Sequence, residues 1–253
     1  MSIFTVFLQK EWKVWQRPFF NSGLRNRKNC VLITFFFVVF SAVIYGVSNW
    51  FPSLRLSVYF EPASMFRLAD GCLLDRSIPF IPETVYIYNT LFLFFFVHCF
   101  FYPPNKEGIH RVKLLLQSQM LMTLTATLFF IFCPAPVRMR DQVQSALEGS
   151  NQLYSHFFYY LYAVDTEFNS WPCLHIAHPL LITLSVQKWM GKATIVFLWI
   201  WLSCLSLSIA TTKQHYIWDL ICGLLLGATF YYLTFKSGTK GCNFPASGKE
   251  PEV

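Results

Sequence analysis

Six apolar runs, each about as long as a bilayer is thick, leave this chain few folds to adopt. They lie at roughly 30–50, 84–103, 113–134, 174–190, 193–211 and 216–235. A helix needs about 20 apolar residues to cross the hydrocarbon core. The fourth run is the shortest, and Pro104 and Pro134 close the second and third, where helices stop. Only 13% of the residues are charged, against about 25% in an ordinary soluble domain. The reading is an all-α integral membrane protein: a six-transmembrane-helix bundle over 30–235, preceded by a basic segment at 1–29 and followed by a tail at 236–253. That tail, rich in Gly, Ser, Pro and Lys from Ser237 onward, is expected to be disordered.

Charge orients the bundle. Six spans put both termini on one side. Segments 1–29, 104–113, 188–192 and 236–253 hold 14 Lys/Arg against 4 Asp/Glu, net +10. The remainder holds 6 against 9, net −3, which accounts for the chain's +7. Positive loops stay inside, so both termini are expected in the cytoplasm. The basic balance is therefore a topology signal, and no nucleic-acid partner is implied. The first apolar run begins near Val31, too late and too long for a cleaved signal peptide. In residues 1–19, Phe4, Leu8, Trp12, Trp15 and Phe19 form one stripe with Lys10, Lys13 and Arg17 opposite. That pattern suits a helix lying on the membrane surface, or a basic topology anchor. The aromatic run Leu153 to Val164, inside the long loop 135–171, suits the membrane interface. Cys30, Cys99, Cys204 and Cys222 read as buried thiols. Cys72, Cys133 and Cys173 could meet outside the cytoplasm, although pairing does not follow from sequence.

The chemistry sits at the span mouths. His215 and Asp219 are four residues apart in Gln-His-Tyr-Ile-Trp-Asp, one helical turn, and share a face. His175 opens the fourth span, and the topology puts it on the same non-cytoplasmic face. Ionisable groups at a membrane boundary are costly and mark function when several converge. A neutral His215 oriented by Asp219 can attack phosphorus, and His175 can protonate the leaving oxygen. The competing reading makes each histidine an interfacial hydrogen-bonding residue. His178, three residues after His175, could join Cys173 and Asp219 in a zinc site, but the spacing matches no strong metal pattern. Arg76 could touch a headgroup or anchor the interface. His110 and His156 show no partner in the sequence. Gly223 and Gly227 form a Gly-x-x-x-Gly step suited to close helix packing inside the bundle.

Asp165-Thr-Glu-Phe-Asn169-Ser-Trp-Pro172-Cys-Leu-His175, followed by Gln214-His215-Tyr-Ile-Trp-Asp219, resembles the type-2 phosphatidic acid phosphatase superfamily. The likeness is nearest to its inositol phosphorylceramide synthase and sphingomyelin synthase-like branch. Ser77-Ile-Pro-Phe-Ile-Pro82, with Tyr86 and Tyr88, resembles a segment of bacterial members, and the whole likeness covers roughly 75–235. The resemblance implies His215 as nucleophile, Asp219 as its orienting partner and His175 as general acid, with no metal and no cofactor. It places a phosphate-binding arginine at Arg138 or Arg140. Asp165 and Asn169 would shape the loop before the motif. Cys173 stands where the family has serine, so a hydroxyl that would contact phosphate is replaced by a weaker thiol donor. The family's first phosphatase motif, lysine, then six residues, then Arg-Pro, is absent.

These observations favour a lipid-phosphate phosphatase acting through a phosphohistidine at the non-cytoplasmic face, in a bacterial inner membrane. Its partners are the bilayer and a phosphorylated lipid. A headgroup phosphotransferase is the alternative, differing only in whether water or a lipid hydroxyl resolves the intermediate. The Cys173 replacement motivates another, a non-catalytic lipid-binding scaffold. Headgroup, acceptor and oligomeric state do not follow from the residues.

Overall fold

The structure, a computed structural model, describes residues 3–53, 60–148, 152–165 and 167–236. Among these, the regular secondary structure is helical: α1 (Ile3–Gln9), α2 (Pro18–Gly23), α3 (Arg27–Ser53), α4 (Leu74–Ser77), α5 (Val85–Asn89), α6 (Leu91–Phe94), α7 (Val97–Phe101), α8 (Lys106–Phe132), α9 (Arg140–Leu147), α10 (Leu153–Val164), α11 (Leu174–Val186), α12 (Lys192–Thr211) and α13 (Ile217–Tyr231). Among the described residues, four helices are long and apolar enough to cross a membrane: α3, α8, α12, and α13 with its π-helical extension to Lys236. Phe36, Val43, Phe197, Leu207 and Leu225 on these helices lie more than half exposed. Apolar surface of that extent suits lipid rather than water.

The other two expected spans take a different form. Residues 84–103 are broken into α5, α6 and α7. At the first break the Thr90 hydroxyl donates to the Ile87 carbonyl (2.6 Å) and accepts from Trp201 Nε1 (2.8 Å), so side-chain bonds compete with the helical ladder. Helix α11 has 13 residues, extended by a 3₁₀ turn at Gln187–Trp189. Thirteen residues rise about 20 Å, short of the roughly 30 Å of a hydrocarbon core. Almost every residue of α11 is buried, and it packs against α13, α12 and α8. Three of the four long helices pack on it, and α3 joins the bundle through α8.

The amino-terminal stripe also departs from expectation. Helix α1 stops at Gln9, and a separate 3₁₀ turn covers Lys13–Gln16. Leu8 and Trp15 are buried in the main core. The Gln117 amide of α8 holds the segment: it donates to the carbonyls of Leu8 (3.0 Å) and Lys10 (3.1 Å) and accepts from Trp15 Nε1 (2.9 Å). Glu11 bonds Lys113 (2.9 Å) and His110 (2.6 Å), giving that histidine a partner. Leu8 and Trp15 of the stripe therefore pack on the protein's own helices, while Phe19 stays exposed. The tail from Ser237 lies outside the described residues.

Within 135–171, α10 turns Phe158 inward against Val85, Val143 and Leu147, while Tyr159 and Tyr160 face outward. Cys72 and Cys133 are exposed free thiols and Cys173 is a buried one, so the three do not pair.

Candidate active site

Two helix starts carry the histidines. Cys173, in extended conformation, caps α11, and His175 is the second residue of that helix. Pro179 has no N–H to offer the carbonyl four residues back, at His175. His215 lies in the turn between α12 and α13. Lys213 reverses that turn with a left-handed φ of 58°, a conformation uncommon outside glycine. Its buried ammonium compensates by donating to the carbonyls of Asp75 (2.7 Å) and Ile78. Asp75 Oδ1 in turn accepts from Ile217 N (2.7 Å), an amide that the first turn of α13 leaves without a helical partner. Burial raises the Asp75 carboxyl above the usual carboxylate range and lowers the Lys213 amine.

Helices α11 and α13 touch backbone to backbone. A Cβ on Gly223 would sit 2.4 Å from the Cys173 carbonyl oxygen, and one on Gly227 would sit 2.7 Å from that of Ala177. The Gly-x-x-x-Gly step is thus an internal contact. The Cys173 amide donates to the Asp219 carbonyl (3.2 Å), which ties the two helix starts together.

This packing brings His175 and His215 into contact, with His215 Nε2 3.1 Å from His175 Nδ1. His215 Nδ1 lies 2.9 Å from the Ser170 carbonyl, and His175 Nε2 lies 2.8 Å from the Tyr88 hydroxyl. With both rings neutral, one proton arrangement satisfies all three bonds. A carbonyl only accepts, so His215 Nδ1 donates and its Nε2 keeps a lone pair. His175 Nδ1–H donates to that lone pair, and His175 Nε2 accepts from Tyr88. Asp219 Oδ2 is 3.6 Å from His215 Nδ1, too long for a hydrogen bond but close enough for its charge to act. That oxygen accepts from Tyr216 N (2.9 Å), so Asp219 also caps α13. The direct orienting bond to His215 comes from Ser170, which has no special signature in the sequence.

The two arginines separate. Arg140 donates to the Asp165 carbonyl (2.8 Å), stacks over Tyr162 (4.3 Å to the ring centroid) and lines the pocket of His215 with Tyr45, Asp165, Ser170 and Gln214. Arg138 is exposed, pairs with Glu61 (2.9 Å) and lines a different pocket. Arg76 pairs with Asp141 (3.2 Å) and the Arg138 carbonyl (3.0 Å). Asp165 and Asn169 tie their loop to α3 rather than folding it upon itself. The Asp165 carboxylate accepts from Tyr45 of α3 (2.9 Å), and Asn169 donates to the Tyr45 carbonyl (2.9 Å) and to Ser48 (2.8 Å).

Cys173, His175 and His215 offer three metal-ligating atoms within 4.8 Å of one another. His178 stands apart, bonded to Thr123 (3.0 Å) and packed on Phe95 inside the bundle, so the combination of His178 with Cys173 and Asp219 is not what the fold assembles. Tyr45, Asp75, Ser170 and Lys213 escaped sequence reasoning. For Asp75 and Lys213 the available signal was only a charge near a span mouth.

A family model of the PAP2 superfamily matches residues 76–233, more than half of the chain. The chain belongs to the PAP2 superfamily. The match spans α5 to α13 and takes in His175, His215, Asp219 and both arginines. No curated protein and no solved structure matches the chain. Membership of the PAP2 superfamily points to phosphatase- or phosphotransferase-type chemistry on lipid phosphate.

Proposed function

We propose that this PAP2-superfamily member is a lipid-phosphate phosphatase working through a phosphohistidine. The observation that carries the reading is the contact of His215 Nε2 with His175 Nδ1 (3.1 Å), beside a pocket that Arg140 also lines. His215 Nε2 attacks phosphorus, the P–O ester bond breaks, and the N–P bond forms. His175, protonated on binding by the monoanionic phosphate monoester, gives its Nδ1 proton to the departing alkoxide and is left neutral, with its Nε2–H turned to the Tyr88 oxygen. Water then attacks phosphorus while His175 accepts one of its protons, which releases inorganic phosphate and restores His215. Arg140 would grip two phosphate oxygens, as a planar guanidinium can. Substrate entry must open the histidine–histidine bond, because the phosphoryl group occupies the space between the two nitrogens. Cys173 lines this centre in place of a hydroxyl donor.

The charge asymmetry of the loops supports an active site on the non-cytoplasmic face, with the broken 84–103 segment and α11 completing a six-pass bundle. The short loops and the 77–82 segment favour a bacterial inner membrane as host. Purified protein in detergent would be assayed for phosphate release and headgroup transfer on phosphatidic acid, phosphatidylglycerol phosphate, phosphatidylinositol and ceramide. Phosphate release should vanish in His215→Ala and fall about 10²-fold or more in His175→Ala. Arg140→Ala should weaken it and Arg138→Ala should leave it nearly unchanged. A new phospholipid formed only with a lipid acceptor would replace hydrolysis by transfer. Folded protein active on none of these lipids would favour a non-catalytic scaffold.

A further inference from the structure

A second cluster of ligating atoms lies away from the histidine pair. Cys30, near the start of α3, faces His98 and Cys99 of α7. Cys30 Sγ is 3.4 Å from Cys99 Sγ, and Cys99 Sγ is 3.6 Å from His98 Nε2. The Thr34 hydroxyl, one turn after Cys30, is 3.1 Å from His98 Nε2 and 3.3 Å from Cys99 Sγ. All four side chains are buried. Around a tetrahedral zinc ion, bond lengths of about 2.3 Å to sulfur and 2.0–2.1 Å to nitrogen put two sulfurs roughly 3.8 Å apart. The same geometry puts sulfur and nitrogen about 3.5 Å apart. The cluster already has close to those dimensions.

We propose that Cys30, His98 and Cys99 form a zinc site that staples α3 to α7. Two thiolates and one imidazole are a soft donor set, which selects zinc over magnesium or calcium. Binding displaces two thiol protons, and the resulting Zn²⁺–dithiolate centre is neutral, so the nearby Arg27 faces no net charge. The Thr34 hydroxyl then turns to Cys99 and donates to its thiolate. A groove lined by Arg27, Cys30, Cys99, Tyr102 and Pro104 provides an approach. The location has a structural rationale. The α5–α7 stretch is three short helices, with little hydrogen-bonded continuity of its own, and a metal link to the long α3 would hold it in place.

The full chain is purified in detergent with a non-chelating reductant. Cys173→Ser and His215→Ala are present throughout to silence the other cysteine–histidine group. After loading with Zn²⁺ and desalting, elemental analysis should find about one zinc per chain, and the thermal midpoint should rise on loading. Cys30→Ser and Cys99→Ser, near-isosteric changes checked for monodispersity, should each lose the zinc and the thermal shift. Co²⁺ in the parent should give a thiolate-to-metal band in the near ultraviolet, which weakens with each sulfur removed. No retained zinc in the monodisperse parent, or equal retention in both serine variants, would overturn the site. His98→Gln provides the third arm: it should keep the thiolate band but release zinc faster, and unchanged release would remove His98 from the site.

Discussion

Tyr88 shows how one hydroxyl can set the state of a site. It donates to His175 Nε2, which places the other ring proton on the nitrogen that faces His215. On the proposed mechanism that proton goes to the leaving group, so Tyr88 is a positioning residue. Tyr88→Phe should lower kcat about five- to tenfold, the worth of one hydrogen bond of about 1 kcal/mol. KM and the thermal midpoint should change little. A proportional loss of folded protein instead would make Tyr88 merely structural. Asp75 carries a pH prediction. Its folded-state pKa is raised, chiefly by burial, so its contribution to stability is fully present below the unfolded carboxylate value of about 3.9. That contribution is lost as pH rises through the folded value. Asp75→Asn keeps an acceptor for Ile217 N and removes the titration. Its thermal midpoint should therefore fall less than the parent's between pH 4 and neutrality, as scanning fluorimetry in detergent would measure.

At the scale of elements, the decisive contact is α11 against α13. A glycine at 223 lets the Cys173 carbonyl approach to a distance no Cβ tolerates. Gly223→Ala should cost about 1–3 kcal/mol of stability through overpacking. It should reduce phosphate release more than stability predicts, because it separates the two helix starts that carry His175 and His215. Gly46→Ala in α3 is the control: a Cβ there meets nothing within 4 Å, and alanine favours a helix by about 1 kcal/mol over glycine. Thermal midpoints and phosphate release for the two variants separate packing from helix propensity. The amino-terminal segment teaches a related lesson. Its stripe has the periodicity of a surface helix, yet Gln117 captures its carbonyls and turns Leu8 and Trp15 into the core.

At the scale of the molecule, orientation in the membrane is the testable property. Cys72 and Cys133 are exposed and belong to the acidic side of the charge count, the side of the histidine pair. A membrane-impermeant maleimide applied from the non-cytoplasmic side should label both, detected by mass after digestion. Labelling only after the membrane is opened would reverse the orientation and move the proposed chemistry to the cytoplasm.

The membrane class and the helical architecture were legible in the residues, because hydrophobic run length is a local quantity, and the loop charges put His175 and His215 on one face without predicting their contact. The glycine step at 223 and 227 was legible because one-turn spacing is local too. Other features needed coordinates. Arg138 and Arg140 differ by two positions in an irregular loop, and only the start of α9 sends Arg140 over Tyr162 toward His215. Ser170 orients His215 through a backbone carbonyl, which every residue possesses and no residue type advertises. The first break in 84–103, at Thr90, receives a bond from Trp201, more than a hundred residues away. The meeting of Cys30 with His98 and Cys99 joins segments whose separation along the chain carries no periodic signal. Periodicity reports which face a helix buries; which atoms it then meets is decided by the packing of helices distant in sequence.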